Sequence, residues 1–389
     1  MVAILPSDLF VVAESRESSA DEPLASMLFD SNRWGTRQNS YEFCYVPKST
    51  LIAQTHSSLT MPANLTPQYS KAEEEYRRAQ SVQEQIACLE NMLVLVPKHK
   101  GTEKIQADLK TKLKEAREEL AAEKKAPKKG KSYKFPRQGA GQIVVLGGPN
   151  AGKSMVLAAL TNAQPEVAPY PFTTREPFPA MMKWEDTTVQ LIDTPPITDS
   201  HFETYIPNIV RSTDVVALCF DGSSDDAPEH TVEVCSQLKA RKTLLSNETG
   251  FLEDDFSTVR VKTILVVTRG NDPDCSARLD FLHEMMPDRF LEEIVDLENP
   301  DDVERLRNRL YEALGVIRVY TKAPGKPAVY ENPYTVPRGA LVEDLAAKVH
   351  QDLADKLKFA KIWGSSVTDG QTVGRDFVLS DRDLVELHA

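Results

Sequence analysis

Residues 147–154 read Gly147-Gly148-Pro149-Asn150-Ala151-Gly152-Lys153-Ser154, and they fit the phosphate-binding loop pattern G-x-x-x-x-G-K-[ST]. The apolar run Ile143-Val144-Val145-Leu146 precedes them and Met155-Val156-Leu157-Ala158-Ala159-Leu160 follows. That is the order of buried strand, glycine loop and helix which the pattern requires. Glycines let main-chain N–H groups turn inward around a phosphate, and a helix N-terminus adds a favourable dipole. In such a loop Lys153 reaches the β- and γ-phosphates and Ser154 ligates Mg2+. An ordinary glycine turn would need neither the lysine and serine nor the two apolar flanks.

Two more segments follow in the order a nucleotide site needs. Tyr170-Pro171-Phe172-Thr173-Thr174-Arg175-Glu176-Pro177 comes about 20 residues after the loop. Val189-Gln190-Leu191-Ile192-Asp193-Thr194-Pro195-Pro196 is an extended apolar run that ends in a carboxylate. Asp193 is therefore expected at the C-terminal edge of a sheet, where open α/β folds bind ligands. A carboxylate there can hold Mg2+ through water, and a threonine hydroxyl can complete the octahedron. Each segment alone reads as loop; the three in this order read as one site.

These motifs resemble those of the Obg/DRG GTPases. Toward the C-terminus, Ile317-Arg318-Val319-Tyr320-Thr321-Lys322-Ala323-Pro324-Gly325-Lys326-Pro327 is similar to the opening of a TGS domain. Phe359-Ala360-Lys361-Ile362-Trp363-Gly364-Ser365-Ser366-Val367 and Val373-Gly374-Arg375-Asp376 extend the likeness. The resemblance covers roughly residues 65–388 and implies an α/β fold. A P-loop GTPase domain with a mostly parallel sheet would follow a helical hairpin and precede a ubiquitin-like β-grasp TGS domain. It implies GTP and GDP as ligands, Mg2+ as cofactor, slow intrinsic turnover, and a role on the ribosome or RNA. Within it Gly147 to Ser154 bind the nucleotide, with Lys153 and Thr174 as catalytic groups and Ser154, Thr174 and Asp193 managing Mg2+. Thr174 is chosen over Thr173 because related GTPases place that role after a Phe-x pair. Asn150 holds K+ in potassium-stimulated relatives; its other reading is as a loop-shaping residue. Arg175 is read either as a transition-state cation or as a surface ion-pair partner.

The chain also departs from the family pattern. Where the third motif has glycine, whose N–H bonds the γ-phosphate, this chain has Pro196, which has no N–H. Where Ras-like enzymes orient water with glutamine, it has Ile197. The guanine motif Asn-Lys-x-Asp is replaced by Thr268-Arg269-Gly270-Asn271, followed by Asp272. Asn271 offers one acceptor and two donors where two acceptors serve guanine; a one-residue shift would bring in Asp272. The Ser-Ala motif expected near 294–299 reads Ile294-Val295-Asp296-Leu297-Glu298-Asn299. Two alternatives therefore stand beside the GTPase switch. One is a nucleotide-binding module without hydrolysis, docking on RNA or the ribosome. The other is an ATPase or relaxed-specificity NTPase.

The rest of the chain supplies context. Its 389 residues suggest two or three domains. No apolar run approaches the roughly 20 residues of a membrane span, and no basic region precedes Leu9-Phe10-Val11-Val12-Ala13, so a cytoplasmic protein without a membrane partner is expected. The net charge of −12 argues against wholesale nucleic-acid coating, and no DNA partner is expected. Five cysteines, an odd count without metal-ligand spacing, suggest neither a disulfide framework nor a zinc site; Cys219 reads as core. Residues 1–60 lack periodicity and read as a disordered extension, and Met61 itself looks like a start. Residues 65–123 read as the helical hairpin: a first helix capped by Thr66 and stopped by Pro97, a second capped by Thr102. The hairpin serves either as a docking element or as packing. Residues 124–140 form a lysine-rich linker that is either solvated or in contact with RNA phosphates. The GTPase domain is placed at 141–314, with strands at 142–146, 188–193, 214–220 and 263–267. The TGS domain is placed at 316–388, with one helix near 341–357.

Overall fold

The computed structural model describes residues 66–79, 81–97, 102–123, 133–161, 176–200, 202–252, 258–286, 288–328, 330–365 and 367–389. All of them lie in the second of the chain's two units, 61–389. The expected disordered extension, lysines 124–131, Thr174 and Arg175 fall outside the described residues.

Three helices come first: α1 (Pro67–Arg78), α2 (Val82–Leu95) and α3 (Glu103–Glu123). The Thr66 hydroxyl accepts the Tyr69 N–H at 3.3 Å, as its N-cap position demands. The long first helix expected from the apolar stripe is broken. Ala79 turns extended, and Ser81 starts a new helix by accepting the Glu84 N–H at 3.2 Å. The break lets Arg77 donate to the Thr213 carbonyl (2.5 Å) and Arg78 meet Asp214 (3.1 Å).

The central sheet then forms around β1 (Gln142–Gly147), β3 (Thr187–Asp193), β4 (Val215–Asp221) and β7 (Val259–Thr268), all parallel. These strands are long runs of Val, Ile and Leu because both faces are covered. The edge strand β2 (Phe178–Trp184) runs antiparallel to β3, while β5 (Thr243–Ser246), β6 (Gly250–Phe251) and β8 (Leu291–Ile294) all pair with β7. Connecting helices are α4 (Lys153–Leu160), α5 (Ile206–Ser212), α6 (Ala227–Lys239), α7 (Cys275–Met285) and α8 (Pro300–Ala313). Alternate strand residues point to opposite faces. Val144, Leu146, Leu218 and Leu265 pack on α5, α6, α7 and the three N-terminal helices. Ile143, Val145, Ala217 and Val266 pack on α4 and α8.

A second sheet has the order β10-β9-β13-β11-β12, from β9 (Val316–Lys322), β10 (Tyr334–Pro337), β11 (Phe359–Trp363), β12 (Gln371–Val373) and β13 (Asp383–His388). Strand β9 is parallel to β13, and the other pairs are antiparallel. The single helix expected near 341–357 is two, α9 (Val342–Val349) and α10 (Gln351–Lys356). His350 turns extended between them and its Nδ1 accepts the Asp352 N–H at 3.1 Å. Among the described residues, no helix is long and apolar enough to cross a membrane.

Candidate nucleotide site

The phosphate loop lies between β1 and α4, at the C-terminal edge of the sheet. Gly152 sits at φ +84, where a side chain is strained, and a Cβ there would lie 2.9 Å from the Thr268 methyl. Gly147 is equally tight: a Cβ would lie 2.8 Å from the Cys219 carbonyl oxygen. The loop is thus wedged between the ends of β4 and β7. Lys153 is buried and donates to the Gly148 carbonyl at 2.7 Å, so it arches over its own loop. Burial lowers its pKa, against the opposing pull of Cys219 and Asp193. Beneath it the Cys219 thiol is pushed up to about 12 by burial, which makes it inert core, as expected.

The structure brings Ser154 and Asp193 together. Asp193 ends β3 beside Val145, and the Ser154 hydroxyl donates to its Oδ2 at 2.6 Å. The Thr194 hydroxyl donates to the Val145 carbonyl at 2.8 Å, which fixes the chain leaving β3 against β1. Pro196 and Ile197 follow, both buried. The Ile197 N–H, the first after Pro196, donates to the Gly147 carbonyl at 3.3 Å. Its side chain lies in the hydrophobic core with Val144 and Ile192.

Next to the loop lies the end of β7. The Thr268 hydroxyl donates to the Ala151 carbonyl at 3.2 Å. Arg269, at φ +51, donates to the Asn150 carbonyl (3.3 Å) and pairs with Asp221 (2.7 Å). Thr268 and Arg269 therefore both grip the phosphate loop. Asn271 is exposed, and its amide donates to Asp296 Oδ2 at 3.0 Å. Asp272 points elsewhere: Arg278 (2.7 Å) and the Asp274 N–H (3.0 Å) occupy its Oδ1. Those bonds, the Arg278 guanidinium first, hold its carboxyl below the usual range. Asn150 is exposed at φ +57.

Sequence reasoning missed two neighbours. His230 of α6 packs over the loop so closely that a Cβ on Gly148 would sit 2.8 Å from its own Cβ. Asp296 meets Asn271 across 25 positions of sequence. The only local sign of the second was Gly270, where a Cβ would lie 2.2 Å from the Ile294 methyl and hold the two loops apart. Arg137, read as part of the basic linker, bonds the Ser212 carbonyl (2.6 Å) and Asp214 instead of facing outward.

Residues 142–249 match the family described as 50S ribosome-binding GTPase, and residues 317–389 match the TGS domain. The chain is 28% identical to an uncharacterised GTP-binding protein of Halobacterium salinarum, over 79% of this chain and 99% of the relative. It is 27% identical to an uncharacterised GTP-binding protein of Methanocaldococcus jannaschii, over 79% and 92%. It is 25% identical to developmentally-regulated G-protein 1 of Arabidopsis thaliana, over 78% and 90%.

Proposed function

We propose that the chain is a GTPase of the Obg/DRG type with a C-terminal TGS domain, as its two family matches and its developmentally-regulated relative support: a Mg2+-dependent GTP switch that hydrolyses slowly and works on the ribosome or RNA in the cytoplasm. In this reading 65–123 is a helical hairpin, 124–140 a basic linker, 141–314 the GTPase domain and 316–388 the TGS domain.

The 2.6 Å bond between Ser154 and Asp193 carries the reading. A hydroxyl and a carboxylate at the mouth of a phosphate loop are hard oxygen donors of the kind that suits Mg2+. With Thr174 they form the proposed metal set. Bound there, Mg2+ would neutralise charge on the β- and γ-phosphates. Lys153 would exchange the Gly148 carbonyl for phosphate oxygens, whose charge offsets the burial that depresses its pKa. N–H groups of the loop from Asn150 to Ser154 would hold the remaining oxygens. Asn150 is the proposed K+ contact. Ordering of 170–180 and 193–205 around the γ-phosphate is the switch. Slow turnover follows from Ile197, which has no polar atom to orient water. The ribosome or RNA reading is supported by the description of the matched GTPase family.

The test is binding of fluorescent GDP and GTP with and without Mg2+, and turnover in K+ and in Na+ buffer. Mg2+-dependent binding with slow, K+-stimulated hydrolysis is expected. A specific observation favours a second reading: Pro196 has no N–H, and the N–H after it already bonds Gly147. In that reading the chain is a nucleotide-binding module without hydrolysis. Single-turnover assays that detect no phosphate release despite tight binding would select it.

A further inference from the structure

At the position where the Asn-Lys-x-Asp pattern has its base-reading aspartate, this chain has no carboxylate. Thr268 and Arg269 keep the part of the motif that grips the phosphate loop, through Ala151 and Asn150. The fourth position is Asn271, and a carboxylate stands 3.0 Å from its amide nitrogen. We propose that Asp296, from the loop between β8 and α8, supplies the carboxylate that recognises the guanine edge, with Asn271 as the residue that positions it. The inference rests on the GTP-binding reading above.

Three observations argue for it. First, the two loops are fixed against each other. Gly270 N–H donates to the Val295 carbonyl (3.2 Å), and Val295 N–H donates to the Val267 carbonyl (2.9 Å). The close approach at Gly270 tolerates no side chain, because Ile294 fills the space.

Second, Asp296 is built in. Its Oδ1 accepts the Glu298 N–H at 3.0 Å, and its own N–H donates to Asp302 at 3.0 Å. Asp302 is in turn held by Arg305 at 2.6 Å. The carboxylate keeps acceptor capacity on both oxygens, since each has two lone-pair sites.

Third, the orientation of Asn271 is determined. An ionised carboxylate only accepts, so the amide NH2 must face Asp296. One of its two N–H donors is thereby engaged, and its carbonyl remains as a second acceptor. The Asp296 carboxylate and the Asn271 carbonyl supply acceptors, which match guanine, since it presents N1–H and a 2-amino group side by side. Xanthine offers a carbonyl at position 2, and adenine offers a bare N1; both would set an acceptor against the carboxylate. Inosine keeps N1–H and lacks only the 2-amino group. Asp272 is not a competitor for the role, because Arg278 and the Asp274 N–H hold it on the α7 side.

The experiment uses the full chain and competes GDP, IDP, XDP and ADP against fluorescent GDP. It compares wild type with Asp296→Asn, Asn271→Ala and Asp272→Asn, with thermal melting as the folding control. Wild type is expected to prefer GDP over IDP by about 10- to 100-fold, the range for one charge-assisted hydrogen bond. Asp296→Asn should bring that ratio close to one and strengthen XDP binding while leaving the melting temperature in place. Asn271→Ala should lower the ratio partially, as a positioning residue would. The proposal is overturned if Asp296→Asn keeps the wild-type ratio, or if Asp272→Asn is the variant that abolishes it. If wild type binds no guanine nucleotide, the GTP-binding reading fails first and this inference falls with it. If wild type binds GDP and IDP equally, only this inference falls.

Discussion

Arg318 Nη1 lies 2.8 Å from Asp186 Oδ1, which bonds the first strand of the C-terminal sheet to the turn of the β2–β3 hairpin. The same guanidinium meets Glu185 and, at 2.9 Å, Asp381, and it lies over the Trp184 ring. Trp184 stacks on Tyr311 with ring centroids 3.5 Å apart. The other end of this hairpin carries the two segments that flank the proposed phosphate site: β2 follows residue 177, and β3 ends in Asp193. One two-stranded ribbon thus reaches from Asp193 to the C-terminal sheet.

Arg318→Leu should destabilise the protein. The arginine side chain is 3% exposed, and its removal leaves three carboxylates facing one another. Breaking a buried pair costs about 3–5 kcal/mol, and the partial exposure of these carboxylates reduces the expected loss to about 2–3 kcal/mol. Urea unfolding measures it. The pH dependence has a definite sign. Burial raises the pKa of Asp186 and of Asp381, but bonds from Tyr320 and Arg318 outweigh it, and both carboxyls sit below their ordinary 3.8. A depressed folded-state pKa stabilises above the unfolded value, and the gain is lost as pH falls through the folded one. Wild type should therefore lose this contribution only below about pH 4, and Arg318→Leu should flatten that part of the acid curve.

Asp214 is the corresponding joint for the N-terminal helices. Its carboxylate, 11% exposed, faces Arg77, Arg78 and Arg137 and accepts the Gln142 N–H at 2.9 Å. Burial alone would raise its pKa, yet the arginines, Arg137 foremost, hold it below the ordinary value. Asp214→Asn strands buried guanidinium groups and should cost about 3–5 kcal/mol, read as a lower urea midpoint. The loosened helices should also become protease-sensitive.

Much of this organisation is legible in the residues themselves. The strands declare themselves as runs of Ile, Val and Leu, and the phosphate loop carries its own chemistry. The helix break at Ala79 is hidden because Ala79, Val82 and Ile86 continue the apolar spacing across it. Ser81-Val82-Gln83-Glu84 was the available signal, a serine three residues before a glutamate, as at a helix start. The pairing of Asn271 with Asp296 has only Gly270 as a local sign, since two separate loops meet there only once β7 and β8 have paired.

Ser154→Ala should leave the fold in place and uncouple nucleotide binding from Mg2+. The serine is half-buried, and losing its bond to Asp193 removes about 1 kcal/mol of stability. The loss of the proposed metal ligand should lower GTP affinity in Mg2+ by about 10- to 100-fold while affinity in EDTA stays the same. Titration of fluorescent GTP against Mg2+ checks this. An unchanged Mg2+ response in the variant would remove Ser154 from the metal set.

Pro196→Gly tests the slow turnover proposed above. The proline withholds an N–H at the point where the family pattern supplies one to the γ-phosphate, and Ile197, with its side chain fully buried, spends its own on Gly147. Glycine would restore the donor without entering the core. Removing one pre-placed donor from an active site slows chemistry by about 10²–10³-fold, so restoring one that is only partly aligned should raise single-turnover hydrolysis by about tenfold. The greater freedom of glycine in the unfolded chain should cost about 1 kcal/mol, a fall of a few degrees in melting temperature. Faster phosphate release with that small loss of stability identifies the missing N–H as the brake. An unchanged rate with intact GTP binding places the limit elsewhere, with Ile197 the next residue to examine. Ile197→Gln is a poor first choice, because it would put an amide into the apolar core beside Val144 and Ile192 and confound chemistry with unfolding.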